Sequence, residues 1–206
     1  MGQLLRAMTY DHDTEDSVPA LEIGGTPLLW YHKDDGVMGG KSVTNLSSVN
    51  EGKALHMKGT IDTGSSVGWA SARASLPEGL APNTSSIQVQ VTGDGKTYKM
   101  ILCDHNHDSR MNKTPLWEAD LPTKAGVCET KTISLASFIP SFMGSQLDAS
   151  ERAKYPMNPA SLTKIGFMLS SRLSDGSMNP PETFGTGTTF NFSLLVHSLK
   201  AVAESK

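Results

Sequence analysis

The sequence has few cysteines, little excess of either charge and no long apolar run, and each shortage excludes a class of protein. Two cysteines in 206 residues, Cys103 and Cys128, do not make a disulfide-stapled scaffold. We expect a reduced pair, with a single bridge between them left open. A net charge of −3 with scattered basic residues leaves no basic stripe for a nucleic acid. No apolar run approaches the roughly 20 residues of a membrane span, so we expect none.

The N-terminal segment does not have the composition of a signal or transit peptide. Its apolar stretch is short, and acidic residues follow at once at positions 11, 13, 15 and 16. Either the protein stays where it is made or a presequence is missing from this chain. We assign residues 1–25 to an N-terminal extension and residues 26–203 to one β-sandwich domain, since an all-β domain of this size is common.

Alternation of apolar and polar residues dominates the sequence and predicts half-buried strands of an antiparallel sheet. It is clearest at 86–91, 97–103, 164–170 and 189–196, and weaker around Leu55 and Trp69. Asp94-Gly95, between the first two segments, predicts a hairpin turn. One short helix is expected within 148–155, and long loops at 104–115 and 171–188. Strands spaced by turns, with little helix, predict an all-β fold, a β-sandwich of jelly-roll type.

The stretch HKDDGVMGGKS, residues 32–42, ends like a phosphate-binding loop. Such a loop requires a glycine at position 35, where this chain has Asp35, and its carboxylate would repel phosphate. The residues after Ser42 have no helical periodicity. We therefore interpret the stretch as a glycine-rich loop of a β protein, either a braced corner entering the sandwich or an exposed recognition loop.

No motif predicts catalysis, a metal site or a cofactor. CDHNHD (103–108) contains possible metal ligands, but its spacing matches no structural zinc site, and a solvated polar loop explains it better. The hydrolase motifs G-x-S-x-G and H-E-x-x-H are absent. Adjacent carboxylates such as Asp34 and Asp35 point in different directions, so they seldom flank one scissile bond. We expect no catalytic residue, and an enzyme would need Asp34, Asp35, His105 or His107 in contact.

Aromatic residues leave a second binding hypothesis open. Trp30, Tyr31, Trp69 and Trp117 could stack on a sugar face, as in a carbohydrate-binding module. Because the chain has few aromatic residues with which to fill a sandwich, core positions for Trp30 and Trp69 are the favoured interpretation.

Six segments, in chain order, resemble the complex I intermediate-associated protein 30 family. The family signature is a Trp and an Asp followed by V-M-G-G-x-S, and a second motif, G-G-F-A-S-x-R, ends at Arg73 here. In that second motif Val67 stands where the family has the first glycine and Trp69 where it has Phe, and further along Met143 stands where the family has the Arg before Gly144. The matching segments are WYHKDDGVMGGKS (30–42), VGWASARA (67–74), VTGDGKTYKMIL (91–102), SLASFIPSFMG (134–144), LTKIGFMLS (162–170) and FNFSLLVHSLKAV (190–202).

The resemblance implies a galactose-binding-like jelly roll and a non-catalytic assembly factor for mitochondrial complex I, acting as chaperone or scaffold through protein partners. A glycan-binding module of the same fold is the alternative. It implies a mitochondrial location, with cytoplasm and plastid left open. The loop, together with Arg73, is expected to bind the partner, and the residues assigned to this surface are Asp34, Asp35, Val37, Met38, Gly39, Gly40 and Arg73.

Overall fold

The computed structural model describes residues 17–65, 68–104, 115–142 and 145–203. Thirteen strands account for most of this part of the chain. The strands are β1 (Val18–Ile23), β2 (Thr26–Asp34), β3 (Val43–Val49), β4 (Ala54–Asp62), β5 (Trp69–Ser75), β6 (Thr84–Thr92), β7 (Thr97–Asp104), β8 (Leu116–Pro122), β9 (Cys128–Ser134), β10 (Ile139–Phe142), β11 (Ser145–Gln146), β12 (Leu162–Ser170) and β13 (Thr189–Ala203).

In the described part of the chain, helical structure is confined to single turns. Two α-helical turns, α1 (Ala149–Arg152) and α2 (Pro181–Phe184), lie in connections between strands. Asp148 caps α1 by accepting hydrogen bonds from the first free backbone N–H groups, which is the usual role of an N-cap aspartate. Three 3-10 turns cover Asp35–Met38, Leu135–Ser137 and Pro159–Ser161. The expected short helix within 148–155 is present, and the loop 171–188 contains α2.

The strands form two antiparallel sheets that pack as a sandwich, which confirms the predicted fold class. The larger sheet has eight strands in the order β1-β2-β5-β12-β7-β8-β10-β11. The smaller sheet has five strands in the order β3-β4-β13-β6-β9. Because side chains alternate along a strand, one face of each sheet meets the other sheet in the core. Trp30 stacks on Phe167 there, with ring centroids 5.7 Å apart.

Strand β7 differs from the half-buried strand that its alternation predicts. Tyr98, Met100 and Leu102 face the core, as expected, and are fully buried. The intervening Lys99, Ile101 and Cys103 lie on the opposite face and are buried as well. β7 is a central strand between β12 and β8, and apolar side chains from these neighbours pack against it on that face. A strand's own sequence does not contain this information.

The turn at Asp94-Gly95 is not the hairpin that the sequence predicts. β6 belongs to the five-stranded sheet and β7 to the eight-stranded sheet, so the turn carries the chain across the sandwich. Asp94 makes this crossing rigid, because its carboxylate accepts hydrogen bonds from the Tyr98 hydroxyl (3.0 Å) and the Ser193 backbone N–H of β13 (2.9 Å). A D-G pair marks a tight turn, and the pairing of its flanking strands is decided elsewhere.

The sandwich includes residues that precede the expected boundary at residue 26. β1 begins at Val18, pairs with β2, and buries Ala20, Leu21 and Ile23 in the core. The two cysteines are unbonded: Cys103 is buried in β7, and Cys128 is exposed in β9 of the other sheet. No helix among the described residues is long and apolar enough to span a membrane.

Candidate functional site

The corner between the two sheets, residues 34–44, contains most of the residues assigned to partner binding. β2 ends at Asp34, the chain makes one 3-10 turn over Asp35–Met38, and β3 begins at Val43 in the other sheet. Gly39 ends the turn with φ of 83°, a left-handed conformation that glycine adopts without strain. The backbone N–H of Gly40 donates to the Asp35 carbonyl oxygen at 3.0 Å.

Asp35 is fully buried at the centre of this corner. Its Oδ1 accepts a hydrogen bond from the backbone N–H of Ser42 at 3.0 Å, and its Oδ2 accepts one from the Ser42 hydroxyl at 2.8 Å. The backbone N–H of Trp69 donates to the same Oδ2 at 3.3 Å. Ser42 Oγ in turn accepts from the backbone N–H of Asp62 at 3.1 Å. The carboxylate therefore holds together chain segments from β5, β4 and the approach to β3.

Asp34 joins the two sheets directly. Its carboxylate accepts from the Thr44 backbone N–H (2.8 Å) and the Thr44 hydroxyl (2.6 Å), both on β3 of the smaller sheet. The backbone N–H of Ser71, on β5 of the larger sheet, donates to the same carboxylate at 3.3 Å. His32 Nδ1 lies 3.4 Å from Asp34 Oδ2. Both acids of the stretch are thus engaged by the protein itself, and by different partners.

Gly40 leaves room for the Asp35 carboxylate. A Cβ atom at position 40 would lie 2.2 Å from Asp35 Cγ, so any larger residue collides with the buried acid. Gly36 has no atom within 4 Å of the corresponding position. The two glycines therefore serve different purposes, although the sequence presents them alike.

Val37 and Met38 are the apolar residues of the 3-10 turn, and both face solvent. Their exposed fractions are 69% and 63%, and among the exposed large hydrophobic residues of the described chain only Met178, at 64%, is comparable. Two adjacent exposed apolar side chains form a small contiguous apolar patch at the surface of the turn. We call Val37, Met38 and Gly39 the corner tip.

Arg73 lies apart from the corner tip, on the outer face of the eight-stranded sheet. Its neighbours on β5, Ala72 and Ala74, face the core, so the Arg73 side chain points away from the other sheet. It is only 6% exposed. Arg73 pairs in register with Tyr31 of β2 on one side and with Gly166 of β12 on the other. The structure thus separates Arg73 from the tip that the sequence grouped with it.

A buried ion pair lies on the same outer face. Lys99 Nζ is 3.1 Å from Glu118 Oε2, and both residues are almost inaccessible to solvent. The pKa of Glu118 is raised from its ordinary value, because the effect of burial outweighs the lowering effect of the nearby Lys99 ammonium. Sequence reasoning did not identify this pair, because Lys99 and Glu118 stand on different strands and appear in the sequence as ordinary surface residues of alternating strands.

The aromatic residues divide between core and outer face. Trp30 and Trp117 are buried in the core, as favoured for Trp30. Trp69 is half-buried on the outer face, against a small cluster that contains Ile101 and Met168, rather than in the core. Tyr31 is buried on that face beneath Lys164, whose Nζ lies 5.6 Å from its ring centroid. Trp69 is therefore the one tryptophan with surface accessible to a ligand.

The remaining candidates have no observed arrangement that supports chemistry. His105 and His107 lie outside the described residues, and of the CDHNHD segment only Cys103 and Asp104 are described. Within 17–65, 68–104, 115–142 and 145–203, no group of three or more His, Cys, Asp or Glu side chains could hold a metal ion.

Comparison of the sequence with models of known protein families gives a match over most of the chain. The model of the family described as "Complex I intermediate-associated protein 30" matches residues 23–194, which include the corner, β5 and most of both sheets. No curated protein sequence matches the chain.

Solved structures with a similar fold include carbohydrate-binding modules. The family 11 module of the cellulosomal cellulase Lic26A-Cel5E of Clostridium thermocellum is 15% identical, with 85% of this chain and 89% of that chain covered and a TM-score of 0.54. The family 11 module from Clostridium thermocellum in complex with a β-1,3-1,4-mixed-linked tetrasaccharide is 15% identical, with 90% and 97% covered and a TM-score of 0.54. At this identity the likeness concerns the fold alone.

Proposed function

Since this chain belongs to the complex I intermediate-associated protein 30 family, we propose that it is a non-catalytic interaction module. It is a single domain that acts as a chaperone or scaffold subunit in the assembly of a larger, complex I-like complex. Its proposed location is the mitochondrion, with cytoplasm and plastid as alternatives. Its proposed partners are proteins of that assembly.

The observation that carries the proposal is the exposure of Val37 and Met38 on a corner that is braced from within. Asp34 and Asp35 make the brace, and the apolar pair is presented on a 3-10 turn with little freedom to move. Rigid presentation reduces the conformational entropy lost on binding. A specific interface buries about 800 Å² per partner, so the corner tip forms the centre of a contact that includes neighbouring loops.

Within this proposal the seven assigned residues have different roles. Val37, Met38 and Gly39 touch the partner, while Asp34, Asp35 and Gly40 shape the corner and act on binding through it. Arg73 belongs to a separate part of the surface.

Affinity purification from the native cell tests the proposal. Tagged wild-type protein is expected to recover subunits or intermediates of one multi-subunit complex, identified by mass spectrometry. The double variant Val37→Ser, Met38→Ser should recover at least tenfold less of them with an unchanged Tm, since surface changes alter stability by less than about 0.5 kcal/mol.

A matched control removes apolar side chains elsewhere. Val127→Ser, Val202→Ser changes two other exposed valines and should recover the same partners as wild type. Equal recovery by the tip variant and wild type, or equal loss in the control, would contradict the assignment of the tip.

Carbohydrate binding is the second candidate, and the half-buried Trp69 on the outer face favours it. A sugar ring could stack on this indole, as aromatic platforms in binding modules allow. Titration with mixed-linked β-glucan oligosaccharides should then change tryptophan fluorescence, and Trp69→Ala should abolish the change. A flat titration of the wild-type protein removes this candidate.

A further inference from the structure

The strongest unexplained feature outside the corner is the side chain of Arg73. Its Nε donates to Ser71 Oγ at 3.2 Å. Its two terminal nitrogens have no hydrogen-bond partner among the described residues, although the side chain is more than nine-tenths buried. An isolated buried guanidinium lowers stability, because desolvation of the charge is not compensated by a partner.

The guanidinium is held in one orientation. Ser71 Oγ accepts from Arg73 Nε and donates its own proton to the Lys33 carbonyl oxygen at 2.6 Å. The Ser71 hydroxyl therefore acts as the acceptor for Arg73 Nε, and this hydrogen bond fixes one edge of the guanidinium. Gly166 is the register neighbour of Arg73 on β12, and because it has no side chain of its own, the Ile101 side chain packs over it.

Positive charge surrounds this place. The pKa of the Cys103 thiol is raised, chiefly by burial. The nearby charges of Arg73, Lys164 and Lys33 act to lower this pKa, and that of Asp104 acts to raise it. Three cations and one carboxylate thus act on the same buried group. Lys99, the further lysine of this face, is neutralised by Glu118 at 3.1 Å. An excess of positive charge remains on the β2 and β5 side of the face.

We propose that Arg73 binds a carboxylate of an acidic segment in a protein partner, on the outer face of the eight-stranded sheet beside Gly166. Two parallel N–H groups of a guanidinium match the two oxygens of a carboxylate. This inference rests on the proposed function for the source of the carboxylate.

A phosphate group fits the same place less well. Phosphate sites recruit several backbone N–H groups or a helix N-terminus in addition to a cation. β5 is paired on both sides, with β2 and with β12, and the N–H groups of Trp69 and Ser71 also donate to the carboxylates of Asp35 and Asp34. The backbone N–H groups of β5 are therefore already engaged within the protein. Arg73 supplies a single guanidinium with paired N–H donors, and one such pair is sufficient to bind the two oxygens of a carboxylate.

The test measures peptide affinity and stability together at low salt. A fluorescent hexaglutamate peptide should bind the wild-type protein, and a hexaglutamine peptide should not. Arg73→Met should weaken hexaglutamate binding about tenfold to a hundredfold, the loss expected for a charge-assisted pair of hydrogen bonds. Because no described residue accepts a hydrogen bond from the two terminal nitrogens of Arg73, Arg73→Met should unfold at the same Tm as wild type or a higher one.

A second variant keeps the positive charge at position 73 and removes the paired N–H donors of the guanidinium. Arg73→Lys should fold like wild type and still lose most of the affinity, since an ammonium cannot form the paired hydrogen bonds. Lys58→Met, at an exposed position of β4 in the other sheet, is the control for loss of a positive charge and should bind like wild type.

Three results would overturn the inference. A large fall in Tm for Arg73→Met would show that the guanidinium supports the fold. Equal binding of hexaglutamate by wild type and both Arg73 variants would show that the site lies elsewhere. Tighter competition by inorganic phosphate than by hexaglutamate would assign the fork to phosphate. The Val37→Ser, Met38→Ser variant should retain hexaglutamate binding, so failure of the corner tip and failure of the Arg73 site are separable.

Discussion

Ser42 donates two hydrogen bonds to the fully buried carboxylate of Asp35, one from its backbone N–H at 3.0 Å and one from its hydroxyl at 2.8 Å. Ser42 lies seven positions after Asp35 in the chain, and the pair closes the corner between the sheets. The acid of the glycine-rich stretch is therefore satisfied by the protein, and the apolar residues beside it are the ones turned outward.

The Asp35–Ser42 pair predicts a graded loss of stability. Asp35→Ala leaves the N–H groups of Ser42 and Trp69 without their acceptor and should lower the free energy of unfolding by about 2–4 kcal/mol. Ser42→Ala keeps the backbone contact but removes the hydroxyl that donates to Asp35 and accepts from the Asp62 N–H, so a loss of about 1–2 kcal/mol is expected. Urea denaturation measures both. A loss below about 0.5 kcal/mol for Asp35→Ala would show that the acid does not brace the corner.

The two glycines of the corner predict opposite responses to the same substitution. Gly40→Ala places a methyl group against the Asp35 carboxylate and should lower the free energy of unfolding by about 1–3 kcal/mol. Gly36→Ala is the matched control, because its Cβ enters open space; stability should be unchanged or slightly raised. Thermal unfolding of the two variants compares them directly, and equal Tm values would count against the collision.

At the crossing turn, substitution of Asp94 should lower the free energy of unfolding by more than substitution of its hydrogen-bond partner Tyr98. Asp94→Ala removes the acceptor of both the Tyr98 hydroxyl and the Ser193 N–H, so about 2–3 kcal/mol should be lost. Tyr98→Phe removes the hydroxyl that donates to Asp94 and accepts from the Ser193 N–H at 3.2 Å. Since Asp94 still accepts from that N–H, the substitution should cost about 1 kcal/mol. A double-mutant cycle by urea denaturation should show coupling between the two positions. Simple additivity would mean that the hydrogen bond contributes little.

His56 predicts a component of the pH dependence of stability. Burial and the nearby Lys58 lower its pKa from the ordinary 6.5. The unfolded chain then binds a proton more readily than the native protein, so this contribution is complete above about pH 6.5 and is lost as pH falls towards the lowered pKa. Urea denaturation at pH 7.5 and 5.5 should show a smaller fall for His56→Gln than for wild type. Identical falls would remove His56 as a contributor.

The cysteines predict a difference in thiol reactivity. Cys128 is exposed, while burial raises the pKa of the Cys103 thiol and covers it. Because the thiolate is the reactive species, Cys128 should react with a thiol reagent at once and Cys103 only on unfolding. Counting labelled thiols by mass spectrometry before and after denaturation checks this, with Cys128→Ser as control. Rapid labelling of two thiols in native protein would be incompatible with the buried position of Cys103.

Much of the fold was predictable because strand geometry imposes alternation on the sequence. The four clearest alternating segments became β6, β7, β12 and β13. The hairpin predicted at Asp94-Gly95 was wrong, since turn residues specify a reversal and not the sheet in which the next strand pairs. The burial of both faces of β7 was missed for a similar reason: neighbouring strands, remote in sequence, supply the side chains that cover it.

The sequence by itself determined the fold class, the family and the position of the corner, because periodicity and short motifs are local properties. Only the tertiary structure decided the orientation of each residue at the site. Asp35 points inward because Ser42 and Trp69 meet it there, and Val37 and Met38 point outward because the inner space is already filled. Arg73 is isolated for the same physical reason, since the residues opposite it come from strands far away in the chain.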